Sequence, residues 1–183
     1  MKIMHFNING LKANFDQFKE TVYFYDVDII ALNEPRFRDG SEGLLTGYNS
    51  CFVRNDKGWV EIIVYVKSAL SFSVTGMRAN GKSLSYLQIS LKYGKRDLLV
   101  TACYNHPGVK LDTEFMGHAL LGQMSVLVGD LNAKTVSLGC AKTNFCGVRL
   151  EEFLRVHPST QCLNYGARPT FFSSSYDTCD TLD

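Results

Sequence analysis

A short apolar run over residues 123–128, rich in Val and Leu and followed at once by Gly129, constrains the fold more than any other stretch. Such a run predicts a buried strand, which ends close to Asp130 and Asn132. Because side chains alternate faces along a strand, Asp130 and Asn132 can point the same way. A carboxylate beside a carboxamide suits water activation and contact with an anionic oxygen, although Asp and Asn after a strand also form ordinary turns.

The composition is that of an ordinary globular domain. The chain has 183 residues, of which 45% are hydrophobic and 20% charged, and its formal net charge is +1. This length predicts one domain over residues 1–183, and the charge argues neither for nor against nucleic acid. The cysteines are scattered without a CxxC pair, which disfavours zinc. Without a signal peptide or an apolar stretch of about 18 residues, we expect an intracellular protein with no membrane partner.

Two earlier strands also run into polar residues. Residues 2–6 alternate apolar and polar side chains and predict a strand that ends at Asn7. Apolar spacings of three and four over residues 11–25 then predict an amphipathic helix that covers a sheet. Residues 27–32 predict a second buried strand, which gives way to Glu34 and a proline. A Glu at such a strand end favours a functional role, and a solvated surface side chain is the ordinary alternative.

The loop after Glu34 carries two cations around an aromatic residue, Arg36-Phe37-Arg38. Such a loop can contact phosphates and stack on a base, or it can simply be solvated. A later strand ends at Tyr104, which can equally be a packed ring with a wet hydroxyl. Glu61 interrupts another apolar run and therefore needs solvent or a polar partner.

The rest of the chain predicts many short strands and few helices. Asn80-Gly81 predicts a hairpin between two of the strands. This order of elements is not a regular βαβ array, and it predicts an α+β fold of two packed sheets with helices on their outer faces. The further strands are predicted at residues 47–53, 60–66, 70–74, 83–91, 98–103, 161–164 and 170–172, and the further helices near residues 111–121 and 148–154.

The motifs, taken in order, resemble those of the endonuclease/exonuclease/phosphatase superfamily, which includes apurinic-site DNA endonucleases. More closely, the chain resembles the endonuclease domain of non-LTR, LINE-type retrotransposons of the jockey and R1 kind. The motifs that carry the resemblance are Asn7-Ile8-Asn9-Gly10-Leu11, Asp28-Ile29-Ile30-Ala31-Leu32-Asn33-Glu34, Gly47-Tyr48, Tyr104 with Pro107, Gly129-Asp130-Leu131-Asn132-Ala133, Gly147-Val148-Arg149-Leu150, Asn164 with Pro169-Thr170, and Asp183.

The resemblance implies a four-layer α/β sandwich of the DNase I-like kind. Two packed, mixed and mainly antiparallel sheets are flanked by helices, with the active site at one end of the paired sheets. The family's domain continues for several tens of residues past its final aspartate, so we expect this chain to be a fragment that is incomplete at its C-terminus and lacks the last strands. Fusion to a reverse transcriptase, and action on target-site duplex DNA in the nucleus, are implied as well.

The resemblance also implies the site. A metal ion, Mg²⁺ or Mn²⁺, would be held by few protein oxygens and several waters. Asp130 would orient or deprotonate the attacking water, while Asn132 holds the scissile phosphate and Tyr104 contacts it. The implied catalytic residues are Asn7, Glu34, Tyr104, Asp130, Asn132 and Asp183. Of these, Glu34, Asn7 and Asp183 are the implied metal ligands. The implied substrate contacts are Asn9, Arg36, Asn132, Asn144 and Thr170.

Three departures from the family pattern stand out. None of the four histidines lies in a Ser-Asp-His motif, Glu61 follows a reduced glycine run, and Thr135 replaces a histidine that relatives often carry. We therefore expect this chain to nick DNA weakly. The alternatives are a phosphatase that acts on lipid or inositol phosphates and a noncatalytic remnant that binds nucleic acid.

Overall fold

A computed structural model describes residues 1–38, 43–121 and 124–163, and the backbone of residues 171–173 and 178–180. The first sheet has the strand order β1-β2-β4-β3. In it, β1 (Ile3–Asn7) runs parallel to β2 (Ile29–Asn33), while β4 (Val60–Lys67) pairs antiparallel with both β2 and β3 (Tyr48–Arg54). All five residues of β2 are buried, because this central strand is covered on both faces.

The second sheet repeats this plan with the strand order β5-β6-β7-β8. It consists of β5 (Phe72–Arg78), β6 (Ser85–Tyr93), β7 (Arg96–Tyr104) and β8 (Ser125–Asp130). The pairs β5–β6 and β6–β7 are antiparallel, whereas β7 and β8 are parallel. Each sheet therefore contains one parallel pair, and a helix lies between the two strands of that pair in the sequence.

The helices form the outer layers. Helix α1 (Leu11–Tyr25) buries Leu11, Phe18 and Val22 against the first sheet. Helices α2 (Thr113–Leu120) and α3 (Phe145–Val156) cover the second sheet. A third apolar cluster fills the space between the sheets, with members from both of them such as Ile29, Val64, Leu87 and Val100. These four layers confirm the predicted fold class.

Apart from the strand predicted at 161–164, the predicted elements occur in the predicted order, with ends that differ by a few residues. Asn80 lies between the antiparallel strands β5 and β6, where its Oδ1 accepts the backbone N–H groups of Lys82 and Ser83. This confirms the predicted hairpin. The strand predicted at 161–164 is wrong for residues 161–163, which form no strand, and Asn164 lies outside the described residues.

Two short strands near the end of the chain differ from the prediction. The strand predicted at 170–172 corresponds to β9 (Phe171–Ser173), which ends one residue later than predicted. It pairs antiparallel with β10 (Thr178–Asp180), which was not predicted. Among the described helices, none combines the length and apolar character needed to cross a bilayer.

The two parallel pairs bring polar strand ends together. Asn7 at the end of β1 is in register with Asn33 at the end of β2, and Glu34 follows directly. Tyr104 at the end of β7 is in register with Asp130 at the end of β8. Because the sheets pack face to face, these carboxyl ends meet at one end of the sandwich.

A close approach between α3 and the loop after β8 requires a glycine. A Cβ atom added to Gly147 would fall on the backbone carbonyl oxygen of Lys134. We therefore expect Gly147→Ala to lower the free energy of unfolding by about 1–3 kcal/mol, because packed backbone must move apart. Urea unfolding followed by circular dichroism measures this change.

The matched control is Gly117→Ala in α2. A Cβ there would lie 3.5 Å from Nε2 of His157, an ordinary van der Waals contact. Since alanine favours helix over glycine, this variant should be as stable as the parent or up to about 1 kcal/mol more stable. Equal losses in the two variants would contradict the assignment of Gly147 to a close backbone contact.

Candidate active site

One carboxamide joins the two sheets at their shared end. Nδ2 of Asn7 donates to Oε1 of Glu34 at 3.1 Å and to Oδ2 of Asp130 at 2.9 Å. Asn7 and Glu34 belong to the first sheet, whereas Asp130 ends the last strand of the second. Asn7, Glu34 and Asp130, three of the implied site residues, therefore lie in one hydrogen-bonded cluster.

Glu34 is the most heavily bonded member of the cluster. The hydroxyl of Tyr104 donates to its Oε1 at 2.9 Å, and the guanidinium of Arg36 lies 3.0 Å from its Oε2. Burial disfavours the charged form of this carboxyl, but hydrogen bonds from its three neighbours outweigh that effect and hold its pKa below the ordinary value. Glu34 is therefore an anion at neutral pH.

Tyr104 responds in the opposite direction. Burial, and then the negative charge of Glu34, raise the pKa of its hydroxyl. The hydroxyl consequently stays protonated and remains a hydrogen-bond donor at neutral pH. It supplies a neutral, fixed donor beside the carboxylate.

Asp130 is fixed mainly through backbone groups. Its N–H donates to Oδ1 of the fully buried Asn33 at 3.0 Å, which ties β8 to β2. Its Oδ1 accepts the backbone N–H of Asn132 at 2.9 Å, the short-range bond of an Asx turn. Asp130 and Asn132 therefore form the turn that was one of the two interpretations, and Asp130 also belongs to the polar cluster.

Asn132 lies one step further from the acidic pair. Its Nδ2 donates to the backbone oxygen of Asn105 at 2.7 Å. Asn144 in turn donates from Nδ2 to the backbone oxygen of Asn132 at 2.9 Å, and its Oδ1 caps helix α3 by accepting the N–H of Gly147 at 2.7 Å. Asn144 thus supports the loop that carries Asn132, and its predicted contact with substrate stays a prediction.

Backbone strain concentrates at this end of the molecule. Among the described residues, five non-glycine residues have a positive φ, and Asp26 at the C-cap of α1 is the one that lies elsewhere. Non-glycine L-amino acids rarely adopt such left-handed conformations, and the residues that do so cluster at functional sites. The other four are Asn9, Glu34, Arg36 and Asn132, with φ between 46° and 55°.

The donor set suits a hard cation. Within the described residues, no three His, Cys, Asp or Glu side chains converge to hold a metal by themselves. Glu34 and Asp130 nevertheless offer carboxylate oxygens around one point, and Oδ1 of Asn7 is buried without a hydrogen-bond partner. Two carboxylates and a spare amide oxygen fit Mg²⁺, which takes few protein oxygens and keeps its waters.

The predicted site residues fall into three groups. Asn7, Glu34, Arg36, Tyr104 and Asp130 are joined directly by hydrogen bonds. Asn132 donates its backbone N–H to Asp130, Asn144 is linked to the cluster through Asn132, and Asn9 is an exposed residue of the turn after β1. Asp183 and Thr170 lie outside the described residues.

Sequence reasoning missed two buried asparagines, Asn33 and Asn105. Both are fully buried, and both hold neighbouring site residues, Asn33 through Asp130 and Asn105 through Asn132. A signal was present for Asn33, because it ends a strand whose other residues are all apolar. For Asn105 no signal was present, since a polar residue next to His-Pro-Gly indicates an ordinary turn.

Comparison with known proteins supplies the class of this fold. No family model matches the chain. The chain aligns over 99% of its length with the endonuclease domain of TRAS1, a telomere-specific non-LTR retrotransposon, and over 81% of that domain, with a TM-score of 0.79 and 17% identity. An AP endonuclease from Archaeoglobus fulgidus aligns over 85% of this chain and 71% of its own, with a TM-score of 0.58 and 16% identity.

The sequence itself is similar to a retrotransposon protein. The chain is 26% identical over 171 residues to the RNA-directed DNA polymerase from mobile element jockey of Drosophila funebris. The match takes in 90% of this chain, which spans 18% of the length of that protein. The predicted resemblance is therefore confirmed: the chain has the endonuclease/exonuclease/phosphatase fold and is similar to non-LTR retrotransposon proteins.

The lowered pKa of Glu34 predicts a pH dependence of stability. Folding lowers the pKa of Glu34 from its ordinary value of 4.5, so the ionised carboxylate stabilises the folded state at pH values above 4.5. This stabilisation is lost as the pH falls through the lower pKa of the folded state. Glu34→Gln should therefore be less stable than the parent at neutral pH, and the gap should narrow in acid. Urea unfolding of both proteins across this pH range measures the gap, and a constant gap would contradict the assignment.

Proposed function

We propose that the chain is a metal-dependent phosphodiester hydrolase, the DNA endonuclease domain that nicks target DNA for retrotransposition. In the full-length element it is fused to a reverse transcriptase and acts on target-site duplex in the nucleus. The observation that carries this proposal is the bridge from Asn7 to Glu34 and Asp130, at the end of a sandwich shared with a retrotransposon endonuclease domain. Similarity to the jockey protein supports the fusion.

Each site residue has a task in this proposal. Glu34 and Asn7 would hold Mg²⁺ or Mn²⁺, with Asp183 in support. A bound ion would supply charge neutralisation at the phosphate and at the leaving oxygen. Asp130 accepts a proton from the attacking water, because its carboxylate is held in place by the N–H of Asn132. Asn132 holds the scissile phosphate, and Tyr104 contacts it.

The loop after Glu34 supplies a surface for DNA. Phe37 is buried, so it cannot stack on a base, and it instead anchors the loop. The exposed Arg38 guanidinium lies 4.4 Å from the ring centroid of the partly exposed Trp59. Arg54 joins the two segments by donating to the backbone oxygens of Arg38 and Gly58.

This cation and aromatic pair fits the backbone and bases of DNA. A guanidinium contacts phosphate, and an exposed indole offers a stacking face. Arg38 lies on the loop after Glu34, and Trp59 precedes β4, which starts beside the end of β2, so DNA bound to the pair would extend away from the scissile phosphate. We therefore assign Arg36, Arg38 and Trp59 to the proposed DNA surface.

Removal of the Glu34 charge tests the metal site. Glu34→Gln preserves the side-chain shape, and it should lower Mg²⁺-dependent nicking of supercoiled plasmid by about 100-fold or more, because metal-based charge stabilisation amounts to several kcal/mol. The matched control is Glu20→Gln, an exposed carboxylate on α1, which should nick at the parental rate. Undiminished nicking by Glu34→Gln would overturn the role of Glu34.

The same assay separates the proposed function from its alternatives. Mg²⁺-dependent nicking of the plasmid would identify the endonuclease, and we expect it to be slow because none of the four histidines lies in a Ser-Asp-His motif. Release of phosphate from inositol phosphates, without plasmid nicking, would instead identify a phosphatase. Binding of plasmid DNA by the protein, without nicking and without phosphate release, would identify a noncatalytic binding domain.

Arg38 and Trp59 should contribute to DNA affinity independently of cleavage. In EDTA, Arg38→Ala should weaken binding of a labelled duplex and lower the salt slope by about one, because one phosphate contact is lost. Trp59→Ala should weaken binding without changing that slope. Lys95→Ala, an exposed cation in the turn between β6 and β7 at the opposite end of the second sheet, is the control. Equal effects of Arg38→Ala and Lys95→Ala would exclude a localised DNA surface.

A further inference from the structure

A second polar cluster lies beside the candidate active site, around the buried side chain of Glu61. Although Glu61 belongs to the apolar strand β4, it is only 5% exposed. Its carboxylate accepts hydrogen bonds from Ser85 Oγ at 2.6 Å and from Asn55 Nδ2 at 3.0 Å. Ser85 begins β6, so Glu61 joins the first sheet to the second. This resolves the expectation that Glu61 needs a partner.

His106 is the third partner of Glu61. Its Nε2 lies 3.2 Å from the Glu61 carboxylate. Because a carboxylate only accepts, Nε2 is the protonated nitrogen, and the bond fixes the tautomer and plane of the ring. The ring then packs edge-on against Tyr104, with 4.6 Å between the ring centroids and an angle of 66° between the planes.

Two sets of contacts connect Glu61 to Glu34. Its backbone oxygen accepts the N–H of Glu34 at 3.1 Å, next to the strained φ of 51° at Glu34. Its side chain holds His106, which packs against the ring of Tyr104. The hydroxyl of Tyr104 completes the second set by donating to Oε1 of Glu34 at 2.9 Å.

We propose that His106, anchored by the buried carboxylate of Glu61, is a positioning residue that keeps the Tyr104 hydroxyl on Glu34. The role in catalysis rests on the proposed function above, whereas the role in holding the hydroxyl rests on geometry alone. His106 is not a catalytic residue in this assignment. It acts through Tyr104, because a packed ring that cannot rotate or shift directs its hydroxyl to one acceptor.

A double-mutant cycle distinguishes positioning from a purely structural role. His106→Ala should lower the kcat for plasmid nicking by about 10- to 100-fold with little change in KM, because a misplaced group costs rate. In a Tyr104→Phe background, the same substitution should have little further effect, since the hydroxyl that it positions is already absent. Additive losses in the double variant would overturn the proposal.

Loss of stability must be separated from loss of position. Val22→Ala, a truncation in the core under α1, lowers stability far from Tyr104 and should leave kcat unchanged under conditions where all variants are folded. A loss of kcat in Val22→Ala that equals the loss in His106→Ala would show that destabilisation alone explains the result. Wild-type protein that fails to nick would contradict the proposed function and not this inference.

The geometric part is tested without any nuclease activity. Exchange of the Tyr104 hydroxyl proton can be measured from the deuterium isotope effect on the ¹³Cζ resonance of labelled tyrosine, with Tyr104→Phe to assign the signal. His106→Ala should speed this exchange about two- to tenfold, the equivalent of about one net hydrogen bond. The hydroxyl of Tyr65, which is buried between the first sheet and helix α1, should be unaffected. Unchanged exchange at Tyr104 would overturn the proposal.

Discussion

The structure depends on a pair of carboxylates from different sheets that share one amide nitrogen. Glu34 and Asp130 would repel each other if they were left unpaired at the sheet ends. The hydrogen bonds from Asn7 to both carboxylates offset this repulsion. They also join the two sheets through residues that lie 123 positions apart along the chain, Asn7 and Asp130. The additional donors to Glu34 compensate its burial, so the negative charge persists where a cation or a phosphate-bound metal would need it.

The helical layers and the site are consequences of the same topology. Parallel strands need a crossover, usually a helix, and here α1 connects β1 to β2 while α2 connects β7 to β8. Each crossover leaves two carboxyl ends side by side, the place where open sheets present polar groups to ligands. Because β4 pairs antiparallel with β2, and β6 with β7, the first residues of β4 and β6 lie at the same end, so Glu61 and Ser85 meet beside the site.

The sequence predicted those features that depend on local pattern. Apolar runs fix which strands are central, and the polar residues that follow them mark the strand ends, so Asn7, Glu34, Tyr104 and Asp130 were within reach. The partners of these residues depend on tertiary pairing. Asn33 meets Asp130 across 97 positions of sequence, and no local pattern records such a contact. The interpretation of Arg36-Phe37-Arg38 failed at Phe37 for the same reason, because burial of that ring is set by packing.

The strained residues explain how a small set of side chains keeps its arrangement. Each left-handed non-glycine residue costs about 1–3 kcal/mol and persists only where surrounding bonds fix it. At Glu34 the backbone oxygen of Glu61 provides that bond, and at Asn132 the carboxylate of Asp130 does. The cost is met by the folded scaffold before any substrate binds. The proposed phosphoryl chemistry would depend on positioning more than on covalent help, so rigid strand ends suit it better than a mobile loop would.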